Sequence, residues 1–135
     1  MGSAKITGLA ALLPLALSLY AHHGTSVSYD EKKVVKVTGT VKEFIWRNPH
    51  SALFMDGKDE SGRMATYSIE MGSPNSLAKQ GLRRTSFKPG DEATVEMSPS
   101  FTNPASGVCQ GCKVWVNGKQ IRGEEARGKQ NDGEK

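Results

Sequence analysis

The sequence predicts an all-β domain: a small OB-like five-stranded barrel, or an open sandwich of similar strand count, with one short helix between strands three and four. Three observations lead there. Several short runs alternate apolar and polar residues with period two and are rich in β-branched side chains. Helix start and stop signals occur at one place only, Ser73-Pro74 to Gly81. A domain this short must also hide its sheet edges, and closing the sheet into a barrel does so.

The elements follow in order. Residues 9–21 (LAALLPLALSLYA) form an apolar run preceded by Lys5, the pattern of a secretory signal peptide. The run is too short to span a bilayer and no stop-transfer segment follows, so no membrane anchor is expected after cleavage. A cut after Ala21 would start the mature chain at His22. Leu19 at −3 departs from the preferred small residue, and a cut after Ser18 is the alternative. The expected organisation is a leader over 1–21, a single β-barrel domain over 22–122 and a disordered polar tail over 123–135.

Val34–Trp46 reads as one long first strand, with Gly39 marking a bulge or bend. Asn48-Pro49 breaks it. Strand two runs over 51–56, a turn follows at Asp59-Glu60-Ser61-Gly62, and strand three covers 64–70. The helix comes next, then the turn Lys88-Pro89-Gly90-Asp91 and strand four over 92–97. A loop is expected over 98–108, strand five over 113–116, and a hairpin at Asn117-Gly118 leading to a return strand around Gln120-Ile121.

The chain has 135 residues and a formal charge of +4. Its basic residues are scattered among acids, and export would remove DNA from its surroundings, so no nucleic-acid partner is expected. A periplasmic or secreted location follows from the leader. Cys109 and Cys112 stand in Val108-Cys-Gln-Gly-Cys-Lys113. In an oxidising compartment the pair favours a local disulfide, whose small loop gives modest entropic stabilisation. A soft-metal ligand pair and a redox pair are the alternatives. A four-cysteine zinc site lacks its second pair, and covalent haem attachment would need His where Lys113 stands.

A longer succession of motifs runs from the leader into strand four: His22-His23-Gly24, Tyr29-Asp30, Val37-Thr38-Gly39-Thr40-Val41, Trp46-Arg47-Asn48-Pro49-His50, Glu70-Met71-Gly72-Ser73-Pro74-Asn75, Gly81-Leu82-Arg83-Arg84 and Lys88-Pro89-Gly90-Asp91. In order and spacing, over residues 21–98, it resembles domain-of-unknown-function family 6152, a group of small exported bacterial proteins. The resemblance implies an exported single-domain protein and brings no activity and no catalytic residues. It also implies a Gly-rich, cysteine-free loop in the C-terminal third, where this chain instead carries Cys109 and Cys112.

All three histidines, His22, His23 and His50, lie in these motifs. His50 opens strand two, and Glu70 ends strand three. Antiparallel pairing brings the start of one strand to the end of the next, so the two share one end of the meander. The segment before strand one is about ten residues long and, at roughly 3.3 Å per residue, could reach back to them. A metal site built from His22, His23, His50 and Glu70 is therefore feasible. Imidazoles and the α-amine of His22 suit copper first and zinc second. Met71, beside Glu70, is a candidate thioether ligand for copper(I), whereas Met55, Met64 and Met97 are expected to pack in the core. The bland alternative is a solvated His-His terminus and a strand-capping His50.

Enzymatic signatures are missing: no Ser-His-acid order, no phosphate-cradling glycine loop and no paired carboxylates at a working spacing. A copper-dependent oxidase would need a substrate cleft that so short a chain has little surface to build. The reading from a different class is a metal-free interaction module. It would use a barrel face of Trp46, Phe44, Tyr67 and Asn48 to bind a periplasmic protein or an oligosaccharide.

Overall fold

The computed structural model describes residues 28–123. Residues 1–27, which include the expected leader, His22 and His23, and residues 124–135 of the polar tail lie outside the described residues. Seven strands and one helix follow in the order β1 (Val35–Ile45), β2 (Ala52–Asp59), β3 (Met64–Glu70), α1 (Pro74–Lys79), β4 (Glu92–Pro99), β5 (Ser106–Val108), β6 (Val114–Val116) and β7 (Lys119–Arg122).

Five of the strands close into a barrel in the spatial order β1-β2-β3-β5-β4, with β4 returning to pair β1. The all-β expectation therefore holds in its barrel form, because the β1–β4 ladder removes the free edges that an open sandwich would keep. β1 is long enough to serve two neighbours. It pairs β2 from Val37 to Ile45, and over Val35–Thr40 it also pairs β4. Its ladder with β2 slips at Lys42, between Val41 and Glu43, just past Thr40, where the ladder with β4 ends. The bulge is thus not at Gly39. Gly39 sits opposite Gly57, where β1 and β2 approach so closely that a Cβ on Gly39 would lie 2.1 Å from the carbonyl oxygen of Asp56.

The fifth barrel strand is β5, inside the segment that the sequence reads as a loop. Its three residues pair in parallel with Ser68–Glu70 of β3 and antiparallel with Ser98 and Pro99 of β4. A strand this short, rich in small residues and flanked by Pro104 and the cysteine pair, carries no alternation for a sequence pattern to detect. The Val114–Val116 segment, expected to be strand five, is β6. It pairs with Ala93–Val95 of β4 and turns through Asn117-Gly118 into β7. Both turn residues have positive φ, 49° and 79°, as a two-residue hairpin demands.

The helix lies between β3 and β4 as expected. The Ser73 hydroxyl accepts from the Ser76 amide at 3.2 Å, Pro74 occupies the first turn, and Gly81 at φ 85° follows the end. Leu77 of the helix, with Leu82 and Phe87 beyond it, is buried together with the inward-facing side chains of the strands. Those are Val37 and Val41 of β1, Leu53 and Met55 of β2, Tyr67 and Ile69 of β3, and Ala93, Val95 and Met97 of β4. Met55 and Met97 pack there as expected, whereas Met64 is 74% exposed at the start of β3. No helix among the described residues is long and apolar enough to cross a membrane.

Candidate functional site

The register of β2 against β3 decides where His50 meets Glu70. Ala52 lies opposite Glu70, and the pairing continues outward as the Ser51 amide donates to the Gly72 carbonyl and the Met71 amide to the Ser51 carbonyl. Side chains alternate across the sheet, so Ser51, Leu53, Ile69 and Met71 point into the core while His50 and Glu70 share the outer face. As diagonal neighbours they are within reach of each other. His50 Nδ1 lies 2.9 Å from Glu70 Oε1, with the two side chains 55% and 33% exposed. In this pair Nδ1–H donates to the carboxylate, which orients the more than half-exposed ring.

Tyr29 completes the group. Residues 28–30 run beside the end of β4: Tyr29 bridges Ser100, the Asp30 amide donates to the Pro99 carbonyl and the Phe101 amide to the Ser28 carbonyl. From there the Tyr29 hydroxyl donates to Glu70 Oε2 at 3.3 Å. Partial burial, then the negative charge of Glu70 and the hydrogen bond to it, hold the Tyr29 phenol above its ordinary value. Glu70 thus receives His50 on one oxygen and Tyr29 on the other. Glu70, expected as one of the metal ligands, has both carboxylate oxygens engaged by these two side chains. Among the described residues no three His, Cys, Asp or Glu side chains converge as a metal site. His22 and His23 lie outside them.

Other expected positions separate. Met71 is 1% exposed and belongs to the core, so it does not face Glu70's side of the sheet and is unavailable as a surface thioether ligand. Phe44 and Trp46 stand edge to face at 5.8 Å, half-buried, with Asn48 exposed two residues on. Beneath them Phe87, in the loop after the helix, packs on Phe44 at 4.7 Å. Tyr67 does not join this aromatic face. It is fully buried and its hydroxyl donates to the Arg63 carbonyl at 2.8 Å, because its register opposite Met55 turns it into the barrel.

Cys109 and Cys112 are joined in a disulfide, and no described cysteine is free. Cys109 directly follows β5, and its amide donates to the Glu70 carbonyl at 2.8 Å. Arg122, 5% exposed at the end of β7, donates from Nη1 to the Cys109 carbonyl at 3.3 Å and to Cys109 Sγ at 3.1 Å, and from Nε to Gln80 Oε1 at 2.9 Å. Sequence reasoning missed both Tyr29 and Arg122 as site residues. Tyr29 carried a faint signal, its fixed place six residues after His23. Arg122 carried none, since an arginine in a return strand looks like a solvated charge.

Comparison with known proteins places the chain. Residues 11–110 match the model of a family of unknown function, DUF6152. The chain belongs to this family. No curated protein matches the sequence. Among solved structures it is similar to the mitochondrial single-stranded DNA binding protein Rim1 of S. cerevisiae. The identity is 13% and the TM-score 0.45, over 68% of this chain and 96% of that one.

Proposed function

We propose that this family member is an exported β-barrel that binds a transition metal, copper before zinc, through His50 together with His22 and His23 at the start of the processed chain. The observation that carries the reading is the His50–Glu70–Tyr29 group. A carboxylate on Nδ1 fixes the ring and its tautomer and raises the basicity of Nε2, which is how metal-binding imidazoles are commonly supported. Glu70 therefore acts behind the ligand. Tyr29 draws the N-terminal segment onto the same carboxylate. Tyr29 stands six positions after His23, and at roughly 3.3 Å per residue the His22-His23 pair can reach His50. A cut after Ala21 would free the His22 amine to chelate with its own imidazole. Two or three imidazoles and an amine form a nitrogen set that suits copper(II) and zinc.

The test is metal analysis of protein exported from its own leader, followed by copper titration against a competing chelator. His50→Ala should lower copper affinity at least tenfold without changing the fold, since the side chain is exposed. One residue added before His22 should lower it as well. Weak copper binding that His50→Ala leaves unchanged refutes the shared site. The metal-free interaction module would then be favoured by the half-exposed Phe44–Trp46 pair over Phe87, with Trp46 fluorescence as its probe for oligosaccharides or a periplasmic protein.

A further inference from the structure

The two sulfurs of the disulfide stand in very different surroundings. Cys109 is fully buried, while Cys112 is half-buried. Cys112 lines a surface groove of about 310 Å³ with Gln110, Gly111, Glu31 and Glu96. The buried sulfur is the one that receives the Arg122 guanidinium at 3.1 Å. Its backbone is fixed on both sides, by the hydrogen bond its amide donates to the Glu70 carbonyl and by Arg122 donating to its own carbonyl. The disulfide thus has a cation beside one sulfur and an open groove at the other. Closing so small a loop also stabilises the fold little.

We propose that Cys109–Cys112 is a thiol–disulfide exchange centre that oxidises dithiols of other proteins, with Cys112 the sulfur attacked and Cys109 the leaving thiolate received by Arg122. A partner thiolate enters by the groove and attacks Cys112 Sγ. The Cys109–Cys112 bond breaks, a mixed disulfide forms at Cys112, and the electron pair leaves on Cys109 Sγ, where the guanidinium stabilises it. A better-stabilised leaving thiolate departs faster, and favouring the reduced form makes the disulfide the more oxidising partner. The partner's second thiolate then attacks its own sulfur in the mixed disulfide and releases Cys112 as a thiolate. Two electrons and two protons pass in total: the partner dithiol becomes a disulfide and Cys109–Cys112 becomes a dithiol. No thioredoxin-like fold is needed, and the proposal stands independently of the metal site.

The whole processed chain is treated with limiting glutathione, quenched with iodoacetamide and mapped by peptide mass spectrometry. Glutathione is expected on Cys112 and the alkyl group on Cys109, in at least tenfold excess over the reverse. With a peptide dithiol in place of glutathione, one peptide disulfide should form for each protein dithiol. In single variants, Cys109→Ser should leave a Cys112 that reacts with an aromatic disulfide probe at least tenfold faster than the Cys109 left in Cys112→Ser. Arg122→Gln should slow glutathione reduction about tenfold and Arg122→Lys should restore part of the rate. The wild-type mapping decides the matter even if neither Arg122 variant folds. Glutathione found on Cys109, or shared equally between the two sulfurs, overturns the proposal, as does failure to oxidise the peptide dithiol.

Discussion

Replacing Gly39 by Ala tests the close approach on which barrel closure rests. The added Cβ would lie 2.1 Å from the Asp56 carbonyl oxygen, 2.5 Å from Gly57 Cα and 2.7 Å from the Asp56 carbonyl carbon. All three obstacles are backbone, so no side chain can swing aside to make room. The β1–β2 spacing, about 4.8 Å in an ordinary sheet, would have to open by about 1 Å. That opening would act on the stretch of β1 that also holds β4. The cost should reach about 3 kcal/mol, the upper part of the overpacking range. At about 4–8 °C per kcal/mol for a domain of this size, the melting temperature should fall by roughly 12–24 °C. Calorimetry measures it, with urea midpoints as a second reading. Gly62→Ala is the control. Its Cβ would meet nothing within 4 Å, but φ is 86°, so only the left-handed backbone penalty of about 1–2 kcal/mol applies. If Gly39→Ala proves no more destabilising than Gly62→Ala, the steric argument is wrong.

Three further outcomes are expected. Ser73→Ala removes the acceptor of the Ser76 amide at the helix start and should cost about 1 kcal/mol in urea unfolding. Ser51 is fully buried and its hydroxyl has no partner among the described residues, so Ser51→Ala should raise stability by about 1 kcal/mol, the desolvation cost of an unpaired hydroxyl. The Asp56 carboxyl is held below its usual range chiefly by the Thr66 hydroxyl, aided by Lys42, and Asp59 and Asp91 are lowered as well. A depressed folded-state value adds stability above the unfolded value of about 3.9 that is lost as pH falls through the folded one. Melting temperature should therefore drop below about pH 4, and Thr66→Val should move the Asp56 titration upward in an NMR experiment.

Much of the fold was legible because its longer elements follow rules that act over a few residues. Alternation in β1 to β4, the Ser73-Pro74 helix start and the Asn117-Gly118 turn each state their own conformation. The meeting of His50 with Glu70 was legible too, because antiparallel pairing joins strand starts to strand ends. What stayed hidden depends on partners far along the chain. β5 exists because β3 and β4 offer it edges, and its three residues have no pattern of their own. Tyr67 and Met71 looked available until register placed them inside. The bulge fell at Lys42 and not at Gly39, since what Gly39 provides is room for a neighbouring backbone. Arg122 gained its meaning only when β7 carried it to Cys109, thirteen positions back.

The parallel pairing of β5 on β3 has a consequence for how the chain is made. Ser68 must wait for Ser106, and Val35 for Met97, before either ladder can form. As the chain is delivered from its N-terminal end, the β1–β3 meander is complete long before the outer edges of β1 and β3 find β4 and β5. Those edges carry unpaired amides and carbonyls throughout that interval, a template for pairing with other chains. Ladders that link distant residues also form slowly. The hazard for this protein therefore lies in the time between the third strand and the fifth.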